Sequence, residues 1–187
     1  MFSAKQNVSQ SILAPYRDGW RRDYTAKNFS FANLCGHEFV GAQLQGANFT
    51  GANLQRADLR GVDGREAIFD GADCTAALCT EALFQGATFR RAILRQVKFR
   101  QALLLSAHLE EALVDQADFT AANLEWAWLQ GVNFKNATVF AALFLNARGL
   151  STRAKQIIEV GGGFTGRRPM ILGRELYEPS AEGDREA

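Results

Sequence analysis

The sequence predicts an all-β solenoid, a chain wound into short coils that stack on one another. Three periodic features carry that prediction, and all share one five-residue phase. Counting in fives from Leu34 to Phe144 gives 23 positions, of which 9 are Leu, 9 are Phe, and only Gly64 is neither apolar nor a thiol. Two residues before each of these, from Ala32 to Ala142, stand 19 Ala, 3 Val and the single His37. Two residues after them, Gly recurs in 8 of the 23 units: Gly36, Gly41, Gly46, Gly51, Gly61, Gly71, Gly86 and Gly131. The phase does not slip over more than a hundred residues, which is the signature of a repeat architecture.

The spacing dictates the geometry of one unit. Ala and the following Leu or Phe lie two residues apart, so an extended step points both to the same side. The residue between them points outward and is often Asn or Asp, as at Asn33, Asn48, Asn53, Asp58 and Asp73. The last two residues must turn the chain, or five residues would not restore the inward phase. That corner is where Gly is found, because turns use its freedom at positive φ. A single coil of such units buries little, whereas a stack buries every Ala, Leu and Phe.

The units ANLCG (32–36), ANFTG (47–51), ANLQR (52–56) and ADLRG (57–61) carry a resemblance to the pentapeptide-repeat family, which extends over residues 29–149. The resemblance implies a right-handed quadrilateral β-helix with four units per coil, hence about six coils. At a strand-like spacing of ~4.8 Å per coil the rod is about 29 Å long. Phe fills the lumen and Ala lets the wall approach it. Gly64, a central residue without a side chain, is expected to leave an underfilled spot beside Val62 and a local bulge.

The flanks do not repeat. Residues 1–28, with Tyr16, Trp20 and Tyr24, are expected to cap the N-terminal end, since an open ladder is a template for aggregation. Residues 150–187 are expected to hold a short helix over 151–160 with Ser151 as its N-cap, then a flexible tail. Gly161, Gly162 and Gly163 read as the break that opens this tail, and EPSAEGDREA (178–187) has a disordered composition.

Composition narrows the function. The chain has 187 residues, 21 Lys+Arg against 20 Asp+Glu, and 47% hydrophobic residues. This excludes wholesale disorder, and a net charge of +1 argues against direct nucleic-acid binding. No apolar run reaches the ~20 residues of a membrane span, and the first residues lack a signal peptide's apolar core. Three cysteines make no disulfide framework, so the expected setting is cytoplasmic. Asn28 and Asn48 match the glycosylation pattern only because the repeat generates it.

Chemistry-bearing clusters are not discernible. Cys74 and Cys79 take consecutive central positions and read as core fillers, while Cys35 sits at a corner. His37 replaces an Ala and is expected to pack against the cap; His108 points outward. Gly161–Gly166 followed by Arg167 and Arg168 lacks the Lys-Ser/Thr ending of a phosphate loop. No catalytic residue, metal site or cofactor is expected, and the chain is read as no enzyme.

Two surface features remain. Residues 29–89 sum to −4 and 101–149 to −3, but Arg90, Arg91, Arg95, Lys98 and Arg100 form a basic belt without an acid between them. With four units per coil, Arg95 falls beside Asp115 and Arg90 beside Glu110, so the belt reads first as a salt-bridged surface and second as a docking site for an acidic partner. The other feature is apolar. Leu83, Leu103 and Leu143 share one outward column, Leu105 and Leu145 the next, with Trp126 between them and Trp128 and Phe140 on flanking faces. This face is a candidate interface, covered either by residues 164–178 of the chain itself or by a second copy in a two-fold dimer. The expected function is a non-catalytic protein–protein interaction module with a protein partner. The alternative, implied by the resemblance alone, is mimicry of duplex DNA to bind a type II topoisomerase (gyrase), giving protection from quinolones or toxins.

Overall fold

The computed structural model describes residues 22–166. Its backbone is a right-handed β-helix in which parallel bridges join residues twenty apart, so four five-residue units make one coil. The first face runs Asp23, Gln43, Asp63, Leu83, Leu103, Asn123, Leu143; the second runs from Asn28 to Arg148, the third from Asn33 to Leu113, and the fourth from Glu38 to Thr138. Hydrogen bonds run both ways between coils. Tyr24 N–H donates to the Gln43 carbonyl at 2.8 Å, and Gln43 N–H to the Arg22 carbonyl at 2.8 Å.

The corners from Ala26 to Gly131 are built alike. The His37 N–H donates to the Leu34 carbonyl at 3.0 Å, and the intervening Gly36 has φ of +66°. That hydrogen bond with a left-handed third residue is the arrangement of a type II turn. Eight corners place Gly there, but others hold side chains, among them Arg56 at +57° and Trp126 at +63°. A left-handed conformation costs an L-residue roughly 1–2 kcal/mol. The fold tolerates this because each strained corner sets one rung of a cooperative ladder.

The outward Asn and Asp have a specific job. The N–H two residues on, at the first corner position, points away from the ladder, and the side-chain oxygen accepts it. Asn48 Oδ1 takes the Thr50 N–H at 2.9 Å, and Asp118 Oδ1 takes the Thr120 N–H at 3.0 Å. The same contact recurs from Asp23 to Asn133. These are Asx turns, satisfying a donor that the coil geometry would orphan.

The lumen is a set of side-chain stacks. Phe29, Phe49, Phe69 and Phe89 lie parallel with centroids 4.9, 4.9 and 4.8 Å apart. Phe84 meets Phe69 and Phe89 edge-on at 5.5 and 5.3 Å. Both geometries suit the aromatic quadrupole, each pair adding about 0.5–1.5 kcal/mol beyond area burial. Cys74 and Cys79 are buried in these columns, and burial pushes the Cys74 thiol up to about 12 and the Cys79 thiol well above its ordinary value.

Three expectations are corrected. Gly64 neither leaves an underfilled spot nor makes a bulge: Asp63 still bridges Leu83, and the Phe84 ring from the next coil takes the space. The ladder begins before residue 29, at Asp23, and Tyr24 and Phe29 are already in the lumen. Arg22 and Lys27 stand in the Ala column of those units. At the end of a rod such long side chains can leave the lumen, so the pattern is masked without breaking the fold. Of the expected cap, residues 1–21 lie outside the described residues.

The third correction is at the C-terminal end. Helix α1 (Thr152–Val160) forms as expected, with Ser151 Oγ accepting the Ala154 N–H at 3.1 Å. Gly161–Gly163 do not then open a tail. They carry the chain back onto the solenoid, where Gly162 accepts from Ala141 N–H (2.8 Å) and Phe164 pairs with Leu143. The glycines are needed for close approach: a Cβ on Gly161 would stand 2.7 Å from Val139 Cγ2, and one on Gly163 2.7 Å from Ile158 Cγ2. The chain leaves the solenoid only between the second face and its return to the first, so α1 stands above the third face, where a seventh rung would lie.

Candidate interaction surface

The coil register places the expected interface residues. Leu83, Leu103 and Leu143 stand on the first face, and Leu105, Trp126 and Leu145 on the corner that leads to the second. Trp128 is on the second face, and Phe140 on the corner between the fourth face and the first. They share one side of the rod but do not form an unbroken stripe. Asn123 interrupts the leucine column and Glu125 the corner column. Asn123 Oδ1 accepts the Glu125 N–H at 2.9 Å, and its Nδ2 donates to Glu125 Oε2 at 3.1 Å.

Exposure differs across the set. The five leucines are half-buried, whereas Trp126 is 49% exposed, Trp128 38% and Phe140 64%. Within this set the accessible apolar surface is therefore concentrated in the last coil, towards the C-terminal end. Of the covering segment 164–178, Phe164 is a half-buried ladder residue beside Leu143, and 167–178 lie outside the described residues.

The second face carries a stack that sequence reading missed. The His108 and Trp128 rings lie nearly parallel, 8° apart, with centroids 5.5 Å apart. The Arg148 guanidinium carbon sits 4.6 Å from the Trp128 ring centroid on the next rung. His108 Nδ1 in turn lies 2.9 Å from Glu110 Oε1 and 3.1 Å from Arg90 Nη2. The twenty-residue period held this signal, since 108, 128 and 148 share a column.

The basic belt follows the third and fourth faces of the fourth coil and is paired upward. Arg91 meets Glu111 at 2.8 Å, Arg95 meets Asp115 at 3.7 Å, Arg100 meets Asp118 at 2.8 Å, and Arg90 meets Glu110 at 3.7 Å. Arg90 also lies 3.5 Å from Asp70 below. Each exposed pair contributes at most about 1 kcal/mol. Their joint effect is to neutralise the belt's four arginines, leaving little free field for an acidic partner.

Carboxylates along the rod are held ionised. The Arg60 hydrogen bond holds Asp58 below the usual carboxylate range, and that from Arg65 does the same for Asp63. At Asp118 burial works against ionisation, but the hydroxyl and N–H of Thr120 together with Arg100 outweigh it, again lowering its pKa.

Coils of four five-residue units, with Ala and Leu/Phe inward and Asx-capped corners, define a repeat, and the family described as Pentapeptide repeats matches it in 8 copies across residues 28–63, 67–104 and 106–136. The chain belongs to the pentapeptide repeat family. No curated protein matches it. Among solved pentapeptide repeat proteins, trypsin-treated QnrB1, a plasmid-mediated fluoroquinolone resistance protein, is 20% identical, with 79% of this chain and 84% of that one covered and a TM-score of 0.39. HetL, involved in heterocyst differentiation regulation in Nostoc sp. strain PCC 7120, is 22% identical over 68% of this chain and 74% of its own, with a TM-score of 0.33. A pentapeptide repeat protein of the Arabidopsis thaliana thylakoid lumen is 24% identical over 72% of each chain, with a TM-score of 0.33.

Within this pentapeptide repeat protein the remaining sequence candidates are distributed rather than gathered. His37 lies in the Ala column of the first coil, its ring edge-on to Phe39 at 4.5 Å, and burial lowers its pKa. Cys35 is exposed at a corner. Among the described residues no His, Cys, Asp and Glu cluster could hold a metal ion, and no helix is long and apolar enough to cross a membrane.

Proposed function

We propose that the chain is a non-catalytic protein–protein interaction module, a rigid β-helical rod whose C-terminal coil presents Trp126, Trp128 and Phe140 to a protein partner. The observation that carries this reading is the gathering of three large exposed aromatics on the C-terminal coil, whereas the other exposed apolar residues of the solenoid, Phe31, Val40, Leu78 and Leu113, stand singly on different faces and corners. Buried aromatic anchors dominate interface energies, and their low side-chain entropy makes them efficient contacts. A two-fold dimer through the same surface is the simplest partner geometry. The half-buried Leu105 and Leu145 flank it, and changing both to Asp tests the reading. Unchanged oligomeric state together with unchanged partner capture would refute it.

Topoisomerase mimicry by duplex-like charge stands second, and the charge arrangement weighs against it. A DNA-like track needs continuous negative potential, whereas on the third and fourth faces the fourth coil carries arginines paired to acids of the neighbouring coils. A gyrase supercoiling assay with added protein addresses it directly: inhibition or protection from a quinolone would restore it.

A further inference from the structure

One ring nitrogen on the second face lies between two groups with opposite demands. His108 Nδ1 is 3.1 Å from Arg90 Nη2 and 2.9 Å from Glu110 Oε1. A guanidinium only donates hydrogen bonds and an ionised carboxylate only accepts them. Nδ1 therefore serves one of the two at a time. The neutral ring with its hydrogen on Nε2 accepts from Arg90. The imidazolium, with hydrogen on both nitrogens, donates to Glu110 and has nothing to offer Arg90. The two contacts are alternatives, and a proton chooses between them.

The surroundings hold a place for the group that is released. Arg90 lies 3.7 Å from Glu110 Oε2 and 3.5 Å from Asp70 Oδ2, both longer than a good hydrogen bond. Glu110 Oε2 is buried and has no hydrogen-bond partner among the described residues. Asp70 is anchored, because its Oδ1 accepts the Arg90 N–H at 2.9 Å. Once Nδ1 carries a proton, Glu110 Oε1 accepts it, and Arg90 closes on Glu110 Oε2 and Asp70. Thr88 on the rung below and Trp128 on the rung above are uncharged. Glu111 is bound to Arg91, and Arg148 stands beyond Trp128. The charges around the ring are thus Asp70, Arg90, Glu110 and Arg148, which sum to zero.

We propose that His108 is a proton-operated switch within the interaction surface. Unprotonated, it holds Arg90 and presents a neutral ring to Trp128; protonated, it pairs with Glu110 and sets a positive charge against the indole. The link to Trp128 is direct, since the two rings lie 8° from parallel with centroids 5.5 Å apart. A cation over an indole face is attracted to it, so the stack survives protonation. Trp128 then lies between two cations, His108 below and Arg148 above, its guanidinium carbon 4.6 Å from the ring centroid. A partner that covers Trp128 must desolvate the added charge, so binding at this surface weakens as pH falls. The inference rests on the reading of the C-terminal coil as the protein-binding surface and names a regulation of that surface.

The test is a fluorescence titration of the full chain between pH 8 and 5, the interval in which imidazoles change charge. It uses a Trp20→Phe, Trp126→Phe variant, whose remaining tryptophan is Trp128. An imidazolium stacked on an indole quenches it more than a neutral imidazole does, so emission should fall along a single proton transition. His108→Gln in the same background should abolish that transition, since the chain's other histidine, His37, lies in the first coil beside Phe39. Glu110→Gln removes the acceptor that favours the protonated ring and should move the midpoint to lower pH. Arg90→Gln removes the donor that favours the neutral ring and should move it to higher pH, each by roughly half a unit or more. Absence of the transition, its persistence in His108→Gln, or midpoints that stay put or move in the same direction would overturn the proposal. None of these results bears on the aromatic-surface reading, which the Leu105→Asp, Leu145→Asp double variant decides. Failure of that reading would in turn leave the titration of Trp128 emission unchanged.

Discussion

The Phe84 ring lies over Gly64, so the one central position without a side chain is filled from the next coil. A Cβ added at Gly64 would stand 2.6 Å from Phe84 Cε1 and 2.8 Å from its Cδ1. Gly64→Ala, which looks on sequence like a stabilising cavity fill, is thus an overpacking change. It should destabilise the chain by about 1–3 kcal/mol, measured as a lower urea midpoint; a raised midpoint would mean the ring does not occupy that space.

Loss of a ring from the middle of the aromatic stack should be costlier. Phe69 is stacked on Phe49 and Phe89 and meets Phe84 edge-on. Phe69→Ala is expected to cost about 3–5 kcal/mol in the same urea experiment. Phe31→Ala, a corner residue that is 70% exposed, should cost far less.

Two left-handed glycines, one at a corner and one where the chain leaves the solenoid, separate conformational strain from steric exclusion. Gly41 has φ of +64° and open space around it, so Gly41→Ala should cost only the backbone term, about 1 kcal/mol. Gly149 has φ of +79°, and a Cβ there would lie 2.6 Å from the Gln130 backbone nitrogen. Gly149→Ala should cost clearly more. In the opposite sense, Gln101→Gly removes a side chain from a left-handed corner at +56° and should leave stability equal or slightly raised.

Stability should fall in acid. The pKa values of Asp58, Asp63 and Asp118 are lowered by folding, so the unfolded chain binds protons first as pH drops. Their stabilisation is complete above the unfolded carboxylate pKa of about 3.9 and is lost as pH falls through the lower folded values. Melting temperature should therefore ease down once pH falls below about 6.5, where His37, its pKa lowered by burial, protonates first in the unfolded chain, and drop steeply below pH 4. The drop should be shallower in Asp118→Asn, which keeps the Thr120 contact but does not titrate.

The repeat made most of this fold legible. A five-residue phase fixes which side chains enter the lumen, and the twenty-residue coil then places Arg95 beside Asp115. What escaped was set by events at the ends of the rod. Arg22 and Lys27 hid the first two units because an open end accepts long side chains where the interior requires Ala. Gly161–Gly163 looked like a hinge, since sequence does not reveal that Val139 and Ile158 leave no room for a Cβ. The His108, Trp128 and Arg148 stack was present in the period, but recognising it required knowing that outward side chains on successive rungs stand about one coil apart.

The central claim, that the aromatic C-terminal coil is the protein-binding surface, is most directly tested by hydroxyl-radical footprinting of the chain alone and in extract of its source cell. The account predicts that Trp126, Trp128 and Phe140 become protected in extract while Leu78 and Leu113, exposed on other faces, label as before. Labelling of the three aromatics that is identical in both samples, or protection confined to Leu78 and Leu113, would contradict it.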